Sequence, residues 1–207
     1  MSYIICAAFA VMVFLYLAFQ RIKKATGHSK AREIALKCGA TAMAAFVALL
    51  GCLKSDVPAH WLMLAGLVVC TIADGVLCVH FIAGGATFVL GHILYMVAFC
   101  MMHRPNWQCA IVLLCLMGLS VAVMTRIRSM LGNKFVLILA YAVILCLMVS
   151  LASIQAPMYL AGAILFAVSD ILLGCLSITH WKTQMDYVSL GMYYLGQFLL
   201  GLAVYLN

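Results

Sequence analysis

Long apolar segments separated by short polar connections make up almost the whole chain. The segments run for about 18–20 residues without the alternation typical of strands, so they favour helices. Only helices and closed barrels satisfy their backbone hydrogen bonds in lipid, so the pattern predicts an all-α integral membrane protein with eight transmembrane helices. The predicted helices cover residues 3–20, 34–53, 61–79, 86–103, 107–125, 135–152, 158–178 and 188–206.

Composition agrees with this pattern. Of the 207 residues, 68% are hydrophobic and 8% are charged, and the mean hydropathy is +1.21. A soluble core of this size could not bury so much apolar surface, so we expect one transmembrane helical domain over residues 1–207 and no soluble domain. The ten cysteines show no CxxC pair and are expected to pack as small side chains.

The basic residues indicate topology rather than a nucleic-acid partner. The net charge is +7, and nine of the twelve Lys and Arg residues lie in the connections after helices 1, 3, 5 and 7. The excess of Lys and Arg in cytoplasmic loops places those connections in the cytoplasm and both termini outside. The first apolar segment carries its basic cluster after it and lacks a small-residue cleavage site, so it is expected to be a retained span.

Two segments 96 residues apart resemble each other. Residues 65–78, AGLVVCTIADGVLC, and residues 161–174, AGAILFAVSDILLG, share Ala, Gly, Asp and Leu at matching positions. Four helices separate them, so they have the same orientation. The match suggests two parallel four-helix repeats related by a pseudo-twofold axis along the membrane normal, although chance similarity between small-residue helices remains an alternative.

Asp74 and Asp170 occupy the matching positions inside two apolar helices. An ionisable group at membrane depth costs roughly 2.5–3.5 kcal/mol on insertion scales, which makes each one a candidate functional residue. From 1.5 Å of rise per residue, further polar side chains fall about 8–14 Å inside their helices at the same level. These are His92, Tyr193, Tyr194 and Gln197; Lys37, one turn into helix 2, could reach the same level with its long side chain, and Tyr95 lies on the same helix face as His92.

Together these residues predict a polar cavity open to the inner leaflet, in which one carboxyl group is protonated and the other ionised. That division suits acid/base chemistry on a C–O bond. Structural roles are the alternative: the aspartates could pair with Lys37 or helix-8 hydroxyls, His92 could be a buried hydrogen-bonding residue, and the tyrosines could serve packing.

No metal or other cofactor is expected. His80, His92 and His180 lie near the aspartates in the predicted topology, but no two histidines have the short helical spacing of a zinc site. The sequence also lacks a Gly-rich phosphate loop, a nucleophile elbow and a dinucleotide fingerprint.

The chain resembles the YhhN family of eight-span membrane proteins, which includes the mammalian lysoplasmalogenases. The resemblance runs from about residue 30 to the end and rests on Lys37 and on four segments. They are AGLVVCTIADGVL with Asp74, GHILY with His92 and Tyr95, FAVSDILL with Asp170, and MYYLGQ with Tyr193, Tyr194 and Gln197. The family usually has Gly where this chain has Ala73 and Pro where it has Cys38, differences that affect backbone shape rather than ionisable groups.

The resemblance implies hydrolysis of the vinyl ether bond of lysoplasmalogen to a fatty aldehyde and a glycerophospho-base, in a bacterial cell membrane. The expected partners are a lysophospholipid substrate and membrane lipid. One of Asp74 and Asp170 would be the general acid, and the other would stabilise the cation or activate water. The implied substrate-binding residues are Lys37 at the phosphate and His92, Tyr95, Tyr193, Tyr194 and Gln197.

Three other functions are compatible with the sequence. A proton-coupled transporter or lipid-binding protein would use the paired aspartates between pseudo-symmetric halves, although Pro58, Pro105 and Pro157 all lie in connections and do not break helices. A hydrolase of another lysolipid would use the same carboxylates. A membrane scaffold would leave the buried charges unexplained.

Overall fold

The computed structural model describes residues 2–24, 29–132, 135–179 and 184–207. Helices account for 91% of the described residues, which contain no strand. All eight helices within these ranges are long and apolar enough to cross a membrane, which confirms the predicted fold class. They are α1 (Ser2–Lys24), α2 (Lys30–Cys52), α3 (Pro58–Val79), α4 (Phe81–Met102), α5 (Trp107–Leu131), α6 (Phe135–Ala152), α7 (Pro157–Thr179) and α8 (Gln184–Leu206).

Several helices are longer than predicted: α5 ends at Leu131, six residues beyond its predicted end, and the predicted connection between α3 and α4 is largely helical. The sequence predicts a loop over residues 80–85, whereas α4 begins at Phe81. Gly84 lies inside α4, where a Cβ atom would come within 2.6 Å of the Leu77 Cα atom. This glycine therefore serves the close approach of α3 and α4 rather than a turn.

The helices pack as two similar sets. In the first set α1 packs on α2, α2 on α3 and α3 on α4; in the second, α5 packs on α6, α6 on α7 and α7 on α8. Between the sets, α2 packs on α8 and α4 packs on α6. If α1–α4 are exchanged with α5–α8, every helix pair named above becomes another of the named pairs; for example, α2 on α8 becomes α6 on α4. The predicted parallel repeat requires this arrangement.

Small residues allow the helices at the centre to approach closely. A Cβ atom on Gly51 would lie 2.6 Å from the Val204 carbonyl oxygen, and one on Gly196 would lie 2.9 Å from the Gly162 carbonyl oxygen. Gly201 likewise contacts the backbone of Ala44. Such contacts are typical of membrane helices, because van der Waals packing rather than the hydrophobic effect holds them together.

Candidate functional site

An open cavity of about 280 Å³ penetrates the bundle from one end. This end is formed by the C-termini of α1, α3 and α7 and the N-termini of α2, α4 and α8, and it is the side predicted to face the cytoplasm. Six helices line the cavity, with the side chains of Phe19, Lys23, Glu33, Lys37, Asp74, Leu77, Cys78, Phe81, Phe88, Ser169, Asp170, Leu173, Asp186, Ser189, Leu190 and Tyr193. Both candidate carboxyl groups therefore reach the same cavity.

Asp74 is almost fully buried, with 1% of its surface exposed, and donors from α2 and α8 surround it. The hydroxyl groups of Thr41 and Tyr193 donate hydrogen bonds to Asp74 Oδ2, at 2.5 and 2.8 Å. Lys37 Nζ lies 3.4 Å from Asp74 Oδ1. Both carboxyl oxygens thus have partners, and a fixed cation offsets the charge.

Asp170 has different partners, which come from α6 and α4. The Tyr141 hydroxyl donates a hydrogen bond of 2.5 Å to Asp170 Oδ2. His92 Nε2 lies 3.5 Å from the same carboxyl oxygen and 3.3 Å from the Tyr141 oxygen. The groups around Asp170 are thus a phenol and an imidazole, and neither is a permanent cation like the Lys37 ammonium group beside Asp74.

The two sets of partners follow the repeat. Asp74 on α3 is held from α2 and α8, and Asp170 on α7 is held from α6 and α4. These helices correspond to one another when the two halves are exchanged. The backbone positions are thus equivalent, whereas the chemistry is not, because only Asp74 has a lysine partner among these contacts.

The predicted site residues divide into those on the cavity wall and those behind it. Lys37, Asp74, Asp170 and Tyr193 line the cavity. The side chains of His92, Tyr95, Tyr194 and Gln197 are fully or almost fully buried and are not part of the described lining. A direct role in substrate binding for these four stays a prediction.

The residues behind the wall support it through contacts with one another. Tyr95 donates a hydrogen bond of 2.8 Å to Gln197 Oε1, and Tyr194 donates one of 3.4 Å to the Lys37 carbonyl oxygen. The Phe166 ring packs against His92, with centroids 4.7 Å apart. These contacts connect the buried side chains to one another and to the helices that form the cavity wall.

Thr41 and Tyr141 are site residues that the sequence does not single out. Thr41 lies four residues after Lys37 and therefore on the same face of α2, a spacing that could have revealed it. Tyr141 lies inside the apolar run FVLILAYAVILCL of α6. The sequence offers no signal for Tyr141, because a lone tyrosine in such a run usually serves packing.

The histidines considered as metal ligands lie apart in the structure. His80 caps α4 by accepting a hydrogen bond of 3.2 Å from the Ala83 amide, and His92 packs in the bundle with its Nδ1 atom 3.1 Å from Met148 Sδ. His180 lies outside the described residues.

Comparison with known proteins adds the family. No curated protein and no solved structure matches the chain significantly. The model of the YhhN family matches residues 32–204, a range that contains all the candidate site residues predicted above. Most of the chain is covered by this match, so the protein is a member of the YhhN family.

Proposed function

We propose that this membrane protein hydrolyses the vinyl ether bond of a lysoplasmalogen, releasing a fatty aldehyde and a glycerophospho-base. The observation that carries the proposal is the placement of two buried carboxyl groups with unlike partners on one cavity. Vinyl ether hydrolysis needs a proton donor and a group that stabilises positive charge, which is the demand that acetal hydrolysis also makes on a pair of carboxyl groups.

Asp74 is the ionised carboxylate in this proposal. Its three donors, Thr41, Tyr193 and Lys37, all favour the charged form, because hydrogen-bond donors and a cation stabilise a carboxylate more than a neutral carboxyl group. Its negative charge stabilises the oxocarbenium ion that forms when the vinyl ether is protonated. Lys37 holds this carboxylate in place.

Asp170 is the proton donor. It transfers its proton to the vinyl carbon that does not bear the oxygen, and the C=C electron pair forms the new C–H bond and leaves an oxocarbenium ion. Water then adds to the cation and gives one proton to the Asp170 carboxylate, which restores the acid. The resulting hemiacetal collapses to aldehyde and alcohol, so the net reaction consumes one water molecule.

Tyr141 and His92 act on Asp170 rather than on the substrate. Both contact Oδ2 of its carboxyl group, which leaves the other oxygen as the one to carry the transferred proton. A carboxyl group held from one side in this way presents a defined oxygen to the cavity, and such preorganisation supports general acid catalysis.

The test is fatty aldehyde release by the purified, detergent-solubilised protein from a 1-alkenyl lysophospholipid, with 1-alkyl and 1-acyl analogues as controls. Asp74→Asn and Asp170→Asn are assayed beside the wild type after size-exclusion chromatography shows that they are folded. We expect the wild type to release aldehyde from the 1-alkenyl lipid and not from the analogues. The rate of Asp170→Asn should be lower by about 10²–10⁴-fold, the usual contribution of a general acid.

Activity of both variants at the wild-type level would refute the two-carboxylate mechanism. Release of fatty acid from the 1-acyl analogue, with no aldehyde from the alkenyl lipid, would instead identify a hydrolase of another lysolipid. Silence of the wild type on all three lipids would refute the enzyme and favour proton-coupled transport.

A further inference from the structure

The cavity has two chemically different walls. On the side of α1, α2 and α8 it is lined by charged groups, among them Lys23, Glu33 and Asp186. On the side of α4 and α7 the lining residues other than Ser169 and Asp170 are apolar: Phe81, Phe88 and Leu173. The carboxyl groups of Asp74 and Asp170 lie in the same cavity as both walls. A ligand with one polar end and one apolar end is thus the kind that fits.

Lys23 and Asp186 form an ion pair on the charged wall, between the end of α1 and the start of α8. Their Nζ and Oδ2 atoms are 3.4 Å apart, and the side chains are 43% and 26% exposed. An exposed pair of this kind contributes little to stability, so a ligand can replace it at small cost. Lysine binds phosphate as a point charge, and the released carboxylate can accept a hydrogen bond from an ammonium group.

Lys37, by contrast, is already engaged. It is buried, and its ammonium group pairs with Asp74. A phosphate that drew Lys37 away would leave the Asp74 carboxylate without its cation in a buried place. Of the two lysines on the described part of the cavity wall, Lys23 is therefore the better phosphate ligand.

The apolar wall lies where α4 and α7 meet through side chains and not through close backbone packing. In the described residues α3 packs closely on α8, whereas the corresponding helices α4 and α7 meet mainly through side chains such as His92, Phe88 and Phe166. Nearer the mouth the cavity wall on this side consists of Phe81, half exposed, and Leu173. An alkyl chain between these two side chains would remain in contact with membrane lipid.

We propose that the cavity, as its described residues line it, binds a single-chain phospholipid in one orientation, with its phosphate at Lys23, its head-group amine at Asp186 and its hydrocarbon chain leaving between α4 and α7. This orientation rests on the proposed function in one respect: the proposed function identifies the bond of the lipid that lies beside the two aspartates. The binding site itself does not require that bond to be cleaved.

The kinetic test compares two substrates that carry the same alkenyl chain, a 1-alkenyl lysophosphoethanolamine and a 1-alkenyl glycerol without phosphate. We expect Lys23→Gln to raise KM for the phospholipid about tenfold more than KM for the alkenyl glycerol. Leu173→Trp places a bulkier side chain between α4 and α7 and is expected to raise KM for both substrates equally. Lys30→Gln at the exposed start of α2 and Val168→Trp on the exposed side of α7 are the matched controls.

A binding measurement separates this proposal from the proposed function. The wild type and Lys23→Gln are titrated by calorimetry with the non-hydrolysable 1-alkyl lysophosphoethanolamine and with water-soluble glycerophosphoethanolamine. We expect the alkyl lipid to bind the wild type about tenfold more tightly than it binds Lys23→Gln, and glycerophosphoethanolamine to bind far more weakly than the lipid.

The outcomes are distinct. Binding of the alkyl lipid that depends on Lys23, in a protein that releases no aldehyde, would keep this proposal and refute the hydrolase. Aldehyde release with equal effects of Lys23→Gln on both substrates would keep the hydrolase and refute the phosphate site. Equal binding of glycerophosphoethanolamine and the lipid, or a Leu173→Trp variant with wild-type KM values, would refute the path of the chain.

Discussion

Asp74 and Asp170 occupy equivalent places in the two halves of the bundle, yet their surroundings differ in charge. Asp74 has a lysine and two hydroxyl donors within hydrogen-bond or ion-pair distance. Asp170 has a tyrosine and a histidine on one oxygen. A repeated backbone has thus placed two identical side chains on one cavity, and their neighbours have made them chemically distinct.

The difference shows how a symmetric scaffold can provide an asymmetric reaction. A carboxylate with a permanent counter-ion is suited to hold charge, whereas a carboxyl group beside titratable neighbours is suited to exchange protons. Three of the four predictions below alter the partners of the two aspartates, and one alters a contact between the halves. They are given in order of decreasing expected effect.

Removal of the cation beside Asp74 should have the largest effect. Lys37→Met leaves a buried carboxylate without its partner, so we expect a loss of about 3–5 kcal/mol of stability. Thermal unfolding in detergent measures it. The double variant Lys37→Met/Asp74→Asn should recover much of this loss, because it removes the uncompensated charge as well. Lys30→Met, at an exposed site on the same helix, is the control; a similar loss in that control would contradict the interpretation.

Removal of the hydroxyl groups of Tyr141 and Tyr193 should lower kcat to different extents, because the two hydroxyl groups contact different aspartates. Tyr141→Phe removes the hydroxyl donor to Asp170, a hydrogen bond to a charged or reacting group worth about 1.5–3 kcal/mol, and should lower kcat about 10–100-fold. Tyr193→Phe leaves Asp74 with Thr41 and Lys37 and should lower kcat less than about fivefold. Aldehyde release measures both, and equal losses would show that the partners are interchangeable.

Filling one tight helix contact should destabilise the junction of the halves. The Cβ atom of Gly201→Ala would clash with the Ala44 backbone where α8 packs on α2, and overpacking of this kind costs about 1–3 kcal/mol. Gly118→Ala is the control, because the space around Gly118 is open. Thermal unfolding measures both variants, and a Gly201→Ala midpoint no lower than that of Gly118→Ala would contradict a tight junction.

The smallest effect is expected at Thr41. Thr41→Val removes one of three donors to Asp74 with little change in volume, and should cost about 1 kcal/mol because Tyr193 and Lys37 remain. Thr41→Ser keeps the hydroxyl group and should retain more stability than Thr41→Val in thermal unfolding. Equal values for the two variants would mean that the hydroxyl group contributes no more to stability than the methyl group does.

The sequence by itself determined the eight spans and the depth of the two aspartates. Hydrophobic length identifies a membrane helix, since the thickness of the bilayer sets it, and an aspartate in such a helix stands out because its insertion is costly. The loop expected over residues 80–85 was wrong because glycine signals a turn and a close helix contact equally well, and Gly84 serves the contact.

Only the tertiary structure decided which side chains meet. The partnership of Asp170 with Tyr141 and His92 joins three helices, and nothing in the local pattern of α6 distinguishes Tyr141 from a packing residue. The pairing of Lys37 with Asp74 likewise depends on how α2 and α3 are rotated against each other. The rise of its helix gives the depth of a residue, whereas its neighbours depend on helix rotation and distance, to which the close packing of glycines on α2, α3, α4, α7 and α8 contributes.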